Sequence, residues 1–117
     1  MKCVLILEDE PFIAMDLRLA LEDRDIDAIA TTTCDEALEV LNGRSIEGAI
    51  LDVNLGQGKT CEAVALELTK RNIPFILNTG DLDRSGEMLR RIEAPVVAKP
   101  TPSEIVVDCL LTHRAAA

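Results

Sequence analysis

Four short apolar runs in this chain are each followed by a residue that can bind a metal ion or a phosphoryl group. Glu8 and Asp9 come directly after the first run, and Asp52 comes after the second. Thr79 stands two residues beyond the third run, and Lys99 directly follows the fourth. Runs this short and rich in Val, Ile and Leu are typical of buried strands in a parallel sheet. Ligands bind at the carboxyl ends of such strands, so these residues indicate a site for a divalent metal and a phosphoryl group.

The acidic residues suit a magnesium ion. Mg²⁺ prefers oxygen ligands, usually one or two carboxylates together with waters and a phosphate oxygen. We expect Asp9 and Asp52 to bind it directly, Glu8 to act through water, and a backbone carbonyl at Asn54 to add a further ligand. Without a cation, carboxylates held this close would repel one another and raise a pKa.

Asp52 is the candidate nucleophile, because it ends the most apolar of the central runs. Attack by a carboxylate on phosphorus gives an acyl phosphate, and a metal offsets the charge on the phosphoryl oxygens. Thr79 can donate a hydrogen bond to such an oxygen, and Lys99 can pair with Asp52 or with its phosphoryl group. Taken singly, Thr79 has an alternative interpretation as a β-branched strand end, and Lys99 as a solvated surface lysine.

The elements that would position these residues alternate between strand and helix. Strands are predicted at residues 2–7, 26–30, 48–53 and 75–78 and from Pro95 onward. Capping boxes begin two of the helices, with Thr33 paired to Glu36 and Thr101 to Glu104. The polar segment 82–92 is the weakest helix. In the third helix, the region of Val64, Leu66 and Leu68 is predicted to pack inward.

This alternation predicts one α/β domain spanning residues 1–117. Right-handed crossovers favour a doubly wound, five-stranded parallel sheet of order 2-1-3-4-5 with about five helices, a flavodoxin-like architecture. In that order the first and third strands are neighbours. Asp9 and Asp52 should therefore lie together.

Composition excludes several classes of function. The formal net charge of -9 argues against direct binding of nucleic acid or of anionic membranes, because both require Lys and Arg. No apolar run approaches the roughly 20 residues of a membrane span, and no signal peptide is evident. The four cysteines lack CxxC spacing, which favours reduced, buried thiols and a cytoplasmic location. With only 2% aromatic residues, the core should be aliphatic.

Four sequence motifs resemble those of one family. "VLILEDEP" resembles the acidic pocket, "LDVNLGQG" the phosphoacceptor loop, "LNTG" the threonine segment and "VAKP" the lysine-proline segment of receiver domains in two-component response regulators. These motifs occur in order and at the right intervals over essentially the whole chain. The chain is therefore identified as similar to CheY-like receiver domains.

The resemblance implies a role for each residue. Asp52 would be the phosphorylated aspartate, Thr79 the switch hydroxyl and Lys99 the contact to the phosphoryl group. The implied Mg²⁺ site consists of Glu8, Asp9, Asp52 and the backbone carbonyl of Asn54. A histidine kinase or a histidine phosphotransfer protein would be the phosphodonor. A downstream protein target or a fused output domain would receive the signal.

Such a domain is not an enzyme beyond its own phosphorylation and slow autodephosphorylation. Two alternatives remain open: a phosphorylation-independent binding module, and a small Mg²⁺-dependent phosphatase. The phosphatase normally has a second acid two residues after its nucleophile, where this chain has Asn54. A homodimer is also possible, since receivers often pair through strand five and the last helices. Ile105, Val106, Leu110 and Leu111 are either core or interface residues.

One departure from the family concerns the switch. Receivers usually have Tyr or Phe three residues before the lysine, where this chain has Val96, and the chain contains no Tyr. We therefore expect an atypical switch that signals through the loop after Thr79 and through segment 82–92.

Overall fold

The computed structural model describes residues 1–80 and 91–116, with side chains as far as residue 113. Its elements are β1 (Cys3–Leu7), α1 (Pro11–Glu22), β2 (Asp27–Thr31), α2 (Cys34–Gly43), β3 (Gly48–Asp52), α3 (Glu62–Lys70), β4 (Phe75–Thr79), β5 (Val96–Ala98) and α4 (Ser103–Ala116). Each predicted strand is confirmed to within one residue. The predicted helix at 82–92 lies, apart from its last two residues, outside the described part of the chain.

The five strands form one parallel sheet in the order β2-β1-β3-β4-β5, which confirms the predicted order. Four helices are described, against the expected five or so. The register aligns the carboxyl ends of the strands, since Leu7 pairs with Leu51 and Asp52 pairs with Asn78. Glu8 and Asp9, which follow β1, consequently lie at the same edge of the sheet as Asp52, which ends β3.

The core lies on both faces of this sheet and is almost entirely aliphatic. Leu5 and Leu7 belong to the layer covered by α2 and α3, whereas Val4 and Ile6 belong to the layer covered by α1 and α4. Because successive strand residues point to opposite faces, an uninterrupted apolar run supplies both layers. Of the two phenylalanines, Phe75 is buried and Phe12 is 78% exposed.

The inward face of α3 differs from the prediction at one residue. Val64, Ala65 and Leu68 are fully buried, but Leu66 is 53% exposed, so its predicted inward packing is wrong. Residues three and four apart share a helix face, whereas a residue two positions from another points to nearly the opposite side.

The two predicted capping boxes have different outcomes. Thr33 accepts a hydrogen bond from the amide of Glu36 at 3.2 Å and caps α2 as predicted. The hydroxyl of Thr101 donates instead to the carbonyl of Ala98. The first backbone carbonyl to accept a helical hydrogen bond in α4 is that of Pro102. The helix therefore begins after Pro102, one residue later than the capping pattern predicts.

The last helix contributes mainly to the core. Val106 and Leu110 are fully buried in the layer with α1, while Ile105 is exposed and Leu111 is partly buried. All four cysteines are free, two of them buried and two half-buried. Among the described residues, no helix has both the length and the apolar character needed to cross a membrane.

Candidate functional site

Three carboxylates meet at the carboxyl edge of the sheet. Glu8 and Asp9 follow β1, and Asp52 ends the neighbouring strand β3. One oxygen from each lies within 4.8 Å of the others, as the predicted strand order requires. Glu8 and Asp52 are buried, whereas Asp9 is exposed. The cluster therefore combines two poorly hydrated acids with one that faces solvent.

Lys99, which directly follows the edge strand β5, completes this cluster. Its Nζ lies 2.8 Å from Glu8 Oε1 and 3.3 Å from Asp52 Oδ1. Its backbone amide donates to the carbonyl of Thr79 at 2.8 Å, which ties the residue after β5 to the end of β4. The predicted ion pair with Asp52 is present. The shorter contact with Glu8 was not anticipated, because the sequence does not show which acid lies nearest.

Burial and neighbouring charges shift the pKa values of Asp52 and Lys99. Burial, reinforced by the hydrogen bond and charge of Glu8, raises the pKa of Asp52 to about 8 despite the opposing charge of Lys99. For Lys99, burial alone would lower the pKa. The hydrogen bond to Glu8 and the charges of both acids outweigh that effect and raise it. The site thus contains more negative charge than the one ammonium compensates.

A cleft of about 690 Å³ opens over these groups. Its lining includes Asp9, Asp52, Asn54 and Lys99, so four of the predicted site residues surround one space. Glu8 is buried against Lys99. Thr79, also fully buried, does not line the cleft.

The loop after β3 forms one wall of the cleft through residues 56–60. Gly56 has a φ of +82°, in the left-handed region that glycine adopts without strain. Asn54 pairs with Thr60 across the base of the loop. A Cβ at position 56 would lie 3.7 Å from Asp9 Oδ2, so the loop runs close to the acidic cluster.

The donor set fits a hard divalent cation. Mg²⁺ takes oxygen ligands at about 2.1 Å, so three carboxylate oxygens within 4.8 Å of one another are near enough for one ion to draw them together. Burial first, and then the hydrogen bond and charge of Glu8, raise the pKa of Asp52, and a bound cation would offset the part that is due to charge. Glu8, Asp9 and Asp52 are therefore the residues that can hold a metal here.

Asn78 is a buried polar residue beside the site that was not among the predicted site residues. This residue lies opposite Asp52 in the strand register and is 4% exposed. Its Oδ1 has no hydrogen-bond partner among the described residues. A buried amide without a partner is costly, so its presence inside an apolar strand was the available signal.

Comparison with known proteins gives matches among solved structures. The chain is 37% identical to SdrG from Sphingomonas melonis Fr1, covering 97% of each chain with a TM-score of 0.82. A response regulator receiver protein from Sinorhizobium medicae WSM419 is 20% identical, with 98% of this chain and 95% of that chain covered and a TM-score of 0.85.

A third similar structure is the N-terminal domain of a response regulator/sensory box/GGDEF three-domain protein from Carboxydothermus hydrogenoformans. It is 21% identical, with 98% of this chain and 95% of that one covered and a TM-score of 0.84. No protein-family model matches the chain, and no curated protein matches it significantly.

Proposed function

Because this chain belongs to the receiver domains of response regulators, we propose that it relays a signal by accepting a phosphoryl group on Asp52. The observation that carries this proposal is the position of Asp52. Its carboxylate opens onto a cleft, lies within an acidic cluster, and has a lysine ammonium 3.3 Å away. A nucleophile, a cation-binding group and a fixed positive charge are the parts that phosphoryl transfer needs.

Magnesium is the cofactor of the proposed reaction. Asp9, Asp52 and the backbone carbonyl of Asn54 would hold it directly, and Glu8 would hold it through water. When bound, Mg²⁺ offsets the negative charge on the phosphoryl oxygens. The chain supplies the carboxylates and keeps Lys99 beside them.

In the transfer step, an oxygen of the Asp52 carboxylate attacks the phosphorus of a phosphohistidine. The new O–P bond forms as the P–N bond breaks, and the electron pair returns to the imidazole nitrogen, which leaves as neutral imidazole when the other nitrogen carries the proton. Lys99 pairs with the phosphoryl oxygens. The hydroxyl of Thr79 donates to one of them after turning from its buried position.

The proposed phosphodonor is a histidine kinase or a histidine phosphotransfer protein. The proposed recipient of the signal is a downstream protein or a fused output domain, as in the three-domain protein from Carboxydothermus hydrogenoformans. Val96, which is 41% exposed, stands where receivers usually have an aromatic ring. We propose that the signal passes through the loop after Thr79 and segment 82–92, most of which lies outside the described residues.

The test is phosphorylation by a small donor. The purified domain is incubated with acetyl phosphate and Mg²⁺, and its intact mass is recorded beside Asp52→Asn and Asp27→Asn. Asp27 is exposed and begins β2 at the amino end of the sheet, away from the site, so its variant is the matched control.

Gain of one phosphoryl group by the wild type and the control, but not by Asp52→Asn, would support the proposal. Failure of the wild type with both acetyl phosphate and phosphohistidine donors would contradict it. A phosphorylation-independent binding module would then be the better description.

A further inference from the structure

Two of the four cysteines lie close together beside the loop after β3. Cys34 is the first residue of α2, and Cys61 directly precedes α3. The Sγ of Cys34 lies 3.2 Å from the carbonyl oxygen of Thr60, which belongs to the peptide bond that joins Thr60 to Cys61. Standard peptide geometry therefore places the Cys34 thiol within about 6 Å of the Cys61 Cα.

The two side chains also share one environment. Cys61 is fully buried in the core layer covered by α2 and α3, and Cys34 packs against the same layer. Burial raises the pKa of the Cys61 thiol to about 12, and the charge of Cys34 is the next cause. Rotation of the side chains and a small backbone shift can bring sulfurs at this range to the disulfide bond length of about 2.05 Å.

We propose that Cys34 and Cys61 form a reversible disulfide, with a small-molecule disulfide as the oxidant, and that this bond slows phosphorylation of Asp52. The effect on phosphorylation rests on the function proposed above. In reducing compartments, protein disulfides are usually transient and act in catalysis or in redox sensing. A bond that forms and breaks beside the acceptor aspartate suits the second of these roles.

Cys34 is the thiol that an oxidant can reach. It is half-buried and lines a cavity of about 690 Å³ between the β2–α2 turn and the loop after β3, whereas Cys61 does not line this cavity. The cavity shares Asp9 and Lys59 with the cleft over Asp52, so it opens beside the proposed reaction site. Cys34 should therefore react first, and Cys61 should act second.

The reaction consists of two thiol–disulfide exchanges. The thiolate of Cys34 attacks one sulfur of the small disulfide, whose own S–S bond breaks, and one small thiol leaves with the electron pair. Cys61 then loses its proton and attacks the Cys34 sulfur of the mixed disulfide, which releases the second small thiol. Two protein thiols are thereby oxidised to one disulfide, and one small disulfide is reduced to two thiols.

The connection from this disulfide to Asp52 runs through Val53. The amide of Cys61 donates to the carbonyl of Val53 at 3.2 Å, and Val53 directly follows the nucleophile. Drawing Cys61 toward α2 should displace this hydrogen bond and the base of the loop, where Asn54 pairs with Thr60. The backbone carbonyl of Asn54 is a proposed Mg²⁺ ligand, so the disulfide should disturb the geometry of transfer.

The first test is oxidation of the reduced domain. The probe is 2-hydroxyethyl disulfide, which is small and uncharged, so the net charge of -9 does not repel it. Burial raises the pKa of the Cys34 thiol and the charge of Asp35 adds to that effect, so the reaction is run at mildly alkaline pH, where thiolate is more abundant. After alkylation and digestion, mass spectrometry should find the peptides of Cys34 and Cys61 joined by a disulfide.

Three serine variants assign the two thiols. Cys61→Ser should keep the small thiol attached to Cys34 as a mixed disulfide, because the second step has no attacking group. Cys34→Ser should leave Cys61 unmodified, because Cys61 does not line the cavity. Cys109→Ser is the matched control, since Cys109 is also half-buried but lies on α4, and it should form the same cross-link as the wild type.

The second test is acetyl phosphate labelling before and after oxidation. The oxidised wild type should acquire the phosphoryl group about tenfold more slowly than the reduced protein, since a misplacement of about 1 Å can cost about 100-fold in rate. Dithiothreitol should restore the original rate. Cys34→Ser should be labelled at one rate with and without the oxidant, which excludes a direct effect of the probe on the site.

Wild type that gives no joined peptide, or that stops at a mixed disulfide on Cys34, would overturn the proposal. Joined peptides with an unchanged labelling rate would overturn the effect on phosphorylation. Because peptide mapping of the wild type needs neither a variant nor phosphorylation, it decides the cross-link even if a serine variant does not fold. Failure of the reduced domain to be labelled would instead contradict the function proposed above and, with it, the effect on Asp52.

Discussion

The ammonium of Lys99 lies 2.8 Å from a carboxylate oxygen of Glu8, a residue 91 positions earlier in the chain. Glu8 is only 2% exposed and has lost most of its hydration. A buried carboxylate is tolerated when a cation compensates its charge. Lys99 therefore acts first as the counter-ion of Glu8, and this contact fixes its ammonium beside Asp52.

Replacing Lys99 with methionine should destabilise the domain, because it leaves Glu8 buried without a counter-ion. Loss of one partner of a buried pair costs about 3–5 kcal/mol, and the 20% exposure of Lys99 lowers the expectation to about 1–3 kcal/mol. Urea denaturation without Mg²⁺ measures the effect. Arg18→Met, which breaks an exposed pair with Glu22, should cost less than about 0.5 kcal/mol. Equal losses in the two variants would contradict this account.

The stability of the metal-free domain should decrease as pH rises toward 8. Burial raises the pKa of Asp52 from 3.8 to about 8, so the folded state holds a proton that the unfolded chain releases. The stabilisation from that proton is complete below the pKa of Asp52 in the unfolded chain. It is lost as pH rises through the pKa of Asp52 in the folded state. Thermal melts in EDTA should therefore show that the stability of Asp52→Asn rises relative to that of the wild type between pH 5 and 8. Asp27→Asn should follow the wild type, and a constant difference for Asp52→Asn would contradict the shift.

Magnesium affinity should change with pH in the opposite sense. The ion must displace the proton of Asp52, so binding should strengthen from pH 6 to pH 8 by about tenfold or more. Titration calorimetry in two buffers of different ionisation enthalpy would also detect the released proton. Asp9→Asn should weaken binding strongly, whereas Glu10→Gln, an exposed neighbour, should not. Affinity that is independent of pH would contradict the displacement of a proton from Asp52.

Two leucines on α3 should respond very differently to truncation. Leu68→Ala creates a cavity at a fully buried position and should cost about 2–5 kcal/mol. Leu66→Ala removes a side chain that is 53% exposed and should change stability by less than about 0.5 kcal/mol. Urea midpoints of the pair test the orientation of the helix directly, and a large loss for Leu66→Ala would show that it packs inward.

Much of the fold could be predicted because its determinants are local. Apolar runs of strand length, interrupted by helical segments, specify a parallel sheet, and the sheet brings Asp9 and Asp52 to one edge. Lys99 could be placed there for the same reason, since it follows a strand. These predictions needed only the strand order and the rule that ligands bind at carboxyl ends.

The features that could not be predicted depend on tertiary distances. The sequence does not show that Lys99 lies closer to Glu8 than to Asp52, because that difference is a fraction of an ångström between groups from three strands. The unpartnered amide of Asn78 depends on which neighbours face it. Thr101 fits a capping pattern, yet its hydroxyl bonds to Ala98, a competition that local patterns do not resolve.

The aliphatic core has a spectroscopic consequence. With Phe75 inside, Phe12 outside and no Trp or Tyr, the domain scarcely absorbs near 280 nm and contributes no indole or phenol fluorescence. Emission from a complex with any protein would then come wholly from that protein. The binding of a partner that contains tryptophan can therefore be followed by the fluorescence of that partner. This domain adds no background emission, and neither molecule needs a label.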